Sequence, residues 1–202
     1  MKRILIIGML LACGWAQAGL YIETFSPGTT VTAGSPVGTV FTGTVNDPAI
    51  TGPVLSLTVD LNISGGYSGG FYISLTGPDG STTVTLLNTP TTATPLGASF
   101  VISLADAGTA INSSVNFASG GTYQPSTALS GLNGQSANGN WSLYFADLAS
   151  GGGNPTLNGW TLNINAVPEP INYALPLFGL IFIGATVGRF YLGRRRKLEA
   201  GS

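Results

Sequence analysis

Residues 54–64 read VLSLTVDLNIS. Leu55, Leu57, Val59, Leu61 and Ile63 alternate with Ser56, Thr58, Asp60, Asn62 and Ser64. Five consecutive matches to a period of two give an extended strand one apolar and one polar face. The alternation returns in FYISLT, with Phe71, Ile73 and Leu75 inward, in NWSLYF, with Trp141, Leu143 and Phe145, and in WTLNIN, with Trp160, Leu162 and Ile164. Turn clusters separate these runs: SGGYSGG, GPDGS and ASGGGNP. No stretch in this region sustains a 3.6-residue period. Short alternating strands and glycine-rich turns predict an all-β, jelly-roll-like sandwich of two antiparallel sheets over residues 19–166. Within it, PSTALSGLNGQSANG (residues 125–139) reads as a long loop, residues 28–46 as short edge strands, and Trp141 and Trp160 as core.

Charge is scarce and segregated. Only 7% of the 202 residues are charged, against roughly 25% in an ordinary soluble domain. The seven basic residues are Lys2, Arg3, Arg189, Arg194, Arg195, Arg196 and Lys197, and the chain has no His. The body carries only acids: Glu23, Asp47, Asp60, Asp79, Asp106 and Asp147. It can form no side-chain salt bridge, and it has nothing with which to neutralise phosphates, which argues against nucleic acid as a partner.

The two ends explain the basic clusters. MKRILIIGMLLACGWAQAGL has a positive start, an apolar run and the small-x-small ending Ala16-Gln17-Ala18. This is the pattern of a secretory signal peptide over residues 1–18, cut before Gly19. LLAC (residues 10–13) offers a rival lipobox reading, with Cys13 lipidated; under the ordinary cut Cys13 leaves with the signal. At the other end, residues 171–192 carry one charge, Arg189. Twenty-two residues at 1.5 Å each span roughly 33 Å, enough for a transmembrane helix. The cluster Arg194, Arg195, Arg196 and Lys197 then holds its far end in the cytoplasm. Both ends therefore predict export of everything between them by the secretion machinery. Just before the apolar run stands Val167-Pro168-Glu169-Pro170. Its prolines fix φ and lack N–H donors, so the segment stays extended and unpaired, in a form that a processing enzyme can bind.

The order Pro-Glu-Pro, hydrophobic span, Arg-rich end (residues 167–197) resembles the PEP-CTERM sorting signal. The resemblance implies a Gram-negative bacterial protein, a transient inner-membrane anchor, and recognition by an exosortase near Val167, Pro168, Glu169 and Pro170. It also implies a destination at the cell surface or in the extracellular matrix, with exopolysaccharide and biofilm. A second resemblance covers residues 50–166. LSLTVDLNI and FYISLTGPDGSTTVTLL, followed by Gly139, Trp141, Leu143, Asp147, Leu157, Trp160, Leu162 and Ile164, are similar to the P domain of subtilisin-like proprotein convertases, a jelly-roll module. The chain departs from that pattern at residues 65–71, where the family has His-Thr and Asp-Leu, and in SGGGNP, which lacks the family's loop acid.

Chemistry is thinly supplied. Nucleophile–base catalysis wants a base beside its nucleophile, and residues 19–166 contain no His, Lys or Cys. The acids stand singly, without the pairing that a glycosidase needs, and 202 residues leave no room for a subtilisin-like catalytic domain as well. The expectation is a protein that is not an enzyme. Asp106 and Asp147 are candidate Ca²⁺ ligands together with backbone carbonyls, and Asp47 and Asp79, in NDP and PDG, are turn formers. Two functional classes follow. One is a structural protein of the exopolysaccharide matrix; the other is a carbohydrate-binding or Ca²⁺-dependent, lectin-like module that uses Tyr67, Tyr72, Tyr123 or Tyr144. Exposed rings would favour the second, and a surface of Ser, Thr, Asn and Gly the first.

Overall fold

The strand read first, Val54–Ser64, lies inside the larger of two sheets, with Val59, Leu61 and Ile63 fully buried. The computed structural model describes residues 18–48, 50, 52–166 and 182. The chain divides into two units, Met1–Pro168 and Glu169–Ser202, and of the second only Phe182 is described. The signal through Gln17, the Val167–Pro170 motif, the rest of the 171–192 span and the Arg cluster thus lie outside the described residues. Among the described residues no helix is long and apolar enough to cross a membrane.

The strands in order are β1 (Gly19–Phe25), β2 (Thr29–Thr30), β3 (Thr39–Val45), β4 (Val54–Ser64), β5 (Phe71–Thr76), β6 (Thr83–Asn88), β7 (Phe100–Thr109), β8 (Thr122–Tyr123), β9 (Gly139–Asp147) and β10 (Thr156–Ala166). One sheet runs β1-β10-β4-β7-β8, with β2 also on β10; the other runs β3-β9-β5-β6. Outside the β5–β6 hairpin, successive long strands change sheet at every step. That crossing is the strand order of a jelly roll, and it confirms the predicted β-sandwich.

The inner faces make one core. Phe71 and Phe145 meet edge-to-face at 5.0 Å between ring centres, and Phe71 reaches across to Phe100 of the other sheet at 6.2 Å. Trp160 lies 4.4 Å from the ring of Phe25. Trp141 is fully buried, and its Nε1–H donates to the Ala137 carbonyl at 3.0 Å, so the indole enters the core with its donor satisfied. Every inward residue named from the β5, β9 and β10 runs is buried.

Leu55 departs from the expected pattern. It is 43% exposed, while Val54 is buried in its place. β10 pairs Asn165 with Ser56 and Ala166 with Val54, so Leu55 is an extra residue in a bulge, and alternation reverses there. Residues 28–46 supply β2 and β3 as expected, β3 forming an edge of its sheet. The 125–139 segment holds a short 3-10 turn, Leu129–Leu132, whose two leucines are buried.

Turns are held by short polar side chains. Asp79 accepts the Thr82 hydroxyl at 2.6 Å and the Ser81 and Thr82 N–H groups at 2.9 Å, an arrangement that holds its carboxyl well below the usual carboxylate range. The turn closes at Gly80, whose φ of +69° disfavours any side chain. Asn138 staples residues 47–50 to the start of β9: its Oδ1 accepts the Asp47 N–H, and its Nδ2 donates to the carbonyls of Asp47 and Ile50.

Replacing Trp141 or Trp160 by Ala should cost about 3–5 kcal/mol, a large share of the roughly 5–15 kcal/mol that holds an ordinary domain. Urea titration followed by circular dichroism measures it. A loss below about 1 kcal/mol at both positions contradicts the burial described here.

Candidate functional site

The site grows out of a parting of two strands. β4 and β7 are paired from Ile63↔Phe100 to Val59↔Leu104, and the ladder stops there. Below that point β4 continues on β10 alone, through Thr58↔Asn163 and Ser56↔Asn165. β7 instead returns to β8 at Thr109↔Tyr123. The 3-10 turn Leu129–Leu132 fills the gap from below. The Asp106 carboxylate of β7 accepts the Leu129 N–H at 2.6 Å and the Ser130 N–H at 2.9 Å. Past the turn, Gly134 N–H donates to the Val54 carbonyl and Val54 N–H to the Gln135 carbonyl, at 2.8 and 2.9 Å. The turn thus clasps β7 on one side and β4 on the other. A cleft of about 220 Å³ remains above it, lined by Ser56, Leu57, Thr58, Ala105, Asp106, Ala107, Ser130 and Asn133.

The other predicted metal ligand is far away. Asp147 ends β9 at the opposite end of the sandwich, where it pairs with Phe71 and Ala33. It is fully buried beneath three glycine-rich loops. Its Oδ1 accepts the Ala149 N–H at 3.1 Å, and its Oδ2 has no hydrogen-bond partner. Burial pushes the carboxyl up from its usual value, and the Ala149 N–H opposes this only in part. A hard cation wants six to eight oxygens. Around Asp147 the carbonyls of Asp147, Ala149 and Gly70 already accept the N–H groups of Ser35, Gly34 and Leu148. Asp147 thus keeps one carboxylate oxygen without a partner among carbonyls that each already take one N–H. Among the described residues no three of His, Cys, Asp and Glu gather to hold a metal.

The tyrosines are dispersed. Tyr123 is buried, ringed by Phe117, and donates its hydroxyl to the Gly120 carbonyl at 2.7 Å, so it belongs to the core. Tyr72 and Tyr144 stand edge-to-face on the outer face of the smaller sheet, ring centres 6.0 Å apart. The Tyr144 hydroxyl donates to the Pro36 carbonyl at 3.0 Å and accepts the Gly38 N–H at 2.9 Å, which ties it to the segment before β3. Tyr67 is half-buried and leads into the short turn Ser68–Gly70. None of the four lines the cleft. Elsewhere on the outer face of the larger sheet, Asp60 accepts from the Ser103 hydroxyl at 2.5 Å and the Asn163 amide at 2.9 Å. Thr24 and Thr161 share a hydroxyl contact of 3.0 Å beside it.

Sequence reasoning selected Asp106 but missed Ser56, Thr58, Ser130 and Asn133. The first two carried a signal, as polar members of the outward set in VLSLTVDLNIS. The last two lie in a loop with no periodicity to read.

Two facing sheets with jelly-roll order define a β-sandwich module. The proprotein convertase P-domain family matches residues 54–164, more than half of the chain, and the chain belongs to that family. P domains are the non-catalytic C-terminal domains of such proteases. Two solved structures are similar: a serine protease of Aeromonas sobria, at 14% identity and TM-score 0.48 over 74% of this chain and 27% of that one, and an Aeromonas sobria serine protease in complex with the chaperone ORF2, at 11% identity and TM-score 0.47 over 76% and 28%. The chain thus spans about a quarter of the length of these protease chains. No curated protein matches it.

Two measurements test this geometry. Asp106→Ala removes two charge-assisted bonds to the turn and should cost about 1–3 kcal/mol, with faster amide exchange at Leu129 and Ser130. The second concerns Asp147. Its folded-state pKa is raised, so between the unfolded value of about 3.9 and that raised value the folded state holds the extra proton. Stability contributed by the protonated form is present at low pH and is lost as pH rises through this window. Asp147→Asn, which cannot ionise, should gain on the wild type as pH rises from about 4 toward neutrality. Melting temperatures of both proteins across that range decide it, and parallel curves would contradict the burial of Asp147 as a titrating acid.

Proposed function

We propose that this is an exported, non-catalytic surface protein of a Gram-negative bacterium. In this reading the secretion machinery carries it across the inner membrane, and its C-terminal helix holds it there transiently. An exosortase then processes it at Val167–Pro170. The mature sandwich serves as a structural component of an exopolysaccharide matrix at the cell surface or in biofilm.

One observation carries most of the reading. Gly19 of β1 is the Cα partner of Ala166 of β10. The residue after the expected signal cut and the residue before the sorting motif are therefore neighbours at one end of one sheet. The two ends of the sandwich are thus adjacent, which suits a chain tethered to a single membrane at both ends during export. Removal of both costs the sandwich no strand. Family membership supports an extracytoplasmic setting and a module without its own catalysis. The outer face of the larger sheet carries Ser, Thr and Asn around Asp60 beside the exposed Leu20, Ile22 and Val101, a surface that suits packing among weakly charged polymers.

Intact-mass analysis of the protein from its native host tests the reading. The expected species starts at Gly19 and ends, or carries an added group, near Pro168–Pro170. An exported species that keeps Arg194–Lys197 would overturn it. So would a start at Cys13 with a lipid mass, for the ordinary signal cut.

A further inference from the structure

A sandwich that is not closed into a barrel has strand edges, and each edge offers unpaired backbone groups to another strand. Most of the edges here are protected. Ser126 and Thr127 donate their N–H groups to the Leu86 and Thr85 carbonyls at 3.0 and 2.8 Å, which covers β6. β8 is two residues long. β1 carries Glu23 on its inner face, opposite Leu162, and an inward charge on an edge strand deters a further strand. β3 has no such guard. Its seven residues, TVFTGTV, contain no charge and no proline, and they pair with β9 without a bulge from Thr39↔Phe145 to Val45↔Gly139. Among the described residues, its backbone makes no hydrogen bond beyond that ladder. Val40, Thr42 and Thr44 are exposed along it, and Val37, just before it, is 78% exposed.

We propose that β3 pairs with β3 of a second copy of this chain, antiparallel about a two-fold axis at Thr42, so that two four-stranded sheets become one continuous sheet. Charge selects this occupant. Residues 19–166 contain acids and no side-chain cation, so a face that carries acids repels the same face of another copy. The β3 edge escapes this. Behind it, Thr42, Ser142, Thr76 and Thr83 form one cross-strand row without an acid. Asp47, the acid that follows β3 in the chain, stands past one end of the strand, and a two-fold axis sends its two copies to opposite ends. The register is also self-complementary. Thr42 meets Thr42, Val40 meets Thr44, and Phe41 meets Gly43, whose missing side chain an aromatic neighbour covers. Gly43 has to be glycine, since a β-carbon there would lie 2.5 Å from the Phe25 ring. Pairing carries the exposed Val40 out of water. A two-fold contact closes on itself, so it gives dimers and not fibres, and an edge of seven residues buries little area, so the dimer is weak.

Disulfide trapping on the full chain in detergent reads the axis directly. In a Cys13→Ser background, Thr42→Cys sets two thiols across the two-fold with α-carbons about 4.5–5.5 Å apart, within reach of a disulfide. Mild oxidation should give a covalent dimer for Thr42→Cys and none for Ser119→Cys, on the turn before β8. Sedimentation velocity then tests the chemistry of the contact. Thr42→Glu and Thr42→Lys each set like charges against one another and should weaken association about fivefold, while an equimolar mixture of the two restores it. Melting curves check that the variants are folded. A Thr42→Cys chain that stays monomeric under oxidation overturns the proposal. So does association that Thr42→Glu leaves unchanged or that the mixture fails to restore, since contact through the apolar residues 171–192 would ignore both charges. Species larger than a dimer would mean pairing of β3 with β1 of the next copy, and would also overturn it. The processing reading is decided by mass and this one by association, so either can fail alone.

Discussion

Burial of apolar side chains between two facing sheets is the interaction on which the rest of this structure depends, because the domain has no alternative. Residues 19–166 contain six carboxylates and no side-chain cation, so no ion pair can hold strand to strand or loop to sheet. No cysteine is available there for a disulfide. Cohesion falls to the period-two rows of β4, β5, β9 and β10 and to the aromatic contacts of Phe71, Phe100, Phe145 and Trp160. Hydrogen bonds between neutral groups do the rest, as in the Thr76–Thr83 hydroxyl pair at 2.8 Å and the Thr44–Asn140 bond at 2.7 Å. Such an exterior changes little with salt, since no surface ion pairs are there to be screened.

A carboxylate without cations must find neutral donors, and the acids do so in different ways. Asp79 closes a turn on its own neighbours, Asp60 takes a hydroxyl and an amide from adjacent strands, and Asp106 caps a turn far away in sequence. Asp147 is only half served. It sits under loops whose main-chain groups are already committed to one another, and half of its carboxylate is left without a partner. Gly70 shows how tight the site is: a β-carbon there would lie 2.6 Å from the Asp147 Oδ1. The loops close over Asp147 because residues 66 and 152 are glycines at positive φ, and because Gly66 bonds to the Gly152 carbonyl at 3.2 Å.

Membership in the P-domain family and the jelly-roll order describe the same object from two directions. The functional reading rests on the flanks and on the surface. The paired positions of Gly19 and Ala166 suit release from a membrane without loss of a strand.

Much of the sandwich was legible in the chain because alternation is a local signal: a residue's parity decides its face, and Phe71, Ile73, Leu75, Trp141, Leu143, Phe145, Trp160, Leu162 and Ile164 all obeyed it. Parity fails where the register slips, and Leu55 faces outward because the bulge is a property of its pairing with β10 and not of its own neighbours. The aromatic rings show the same limit: Tyr123 could be read as a surface platform until its burial against Phe117 was seen. The sequence by itself determined the alternating rows of β4, β5, β9 and β10 and the lack of side-chain cations in residues 19–166. Tertiary structure alone decided that Asp106 would cap a turn and line a cleft while Asp147 would be buried at the opposite end. The reason is physical: both residues lie in strands of similar pattern, and their fates depend on which distant segments, the 129–132 turn or the glycine loops, fold back over them.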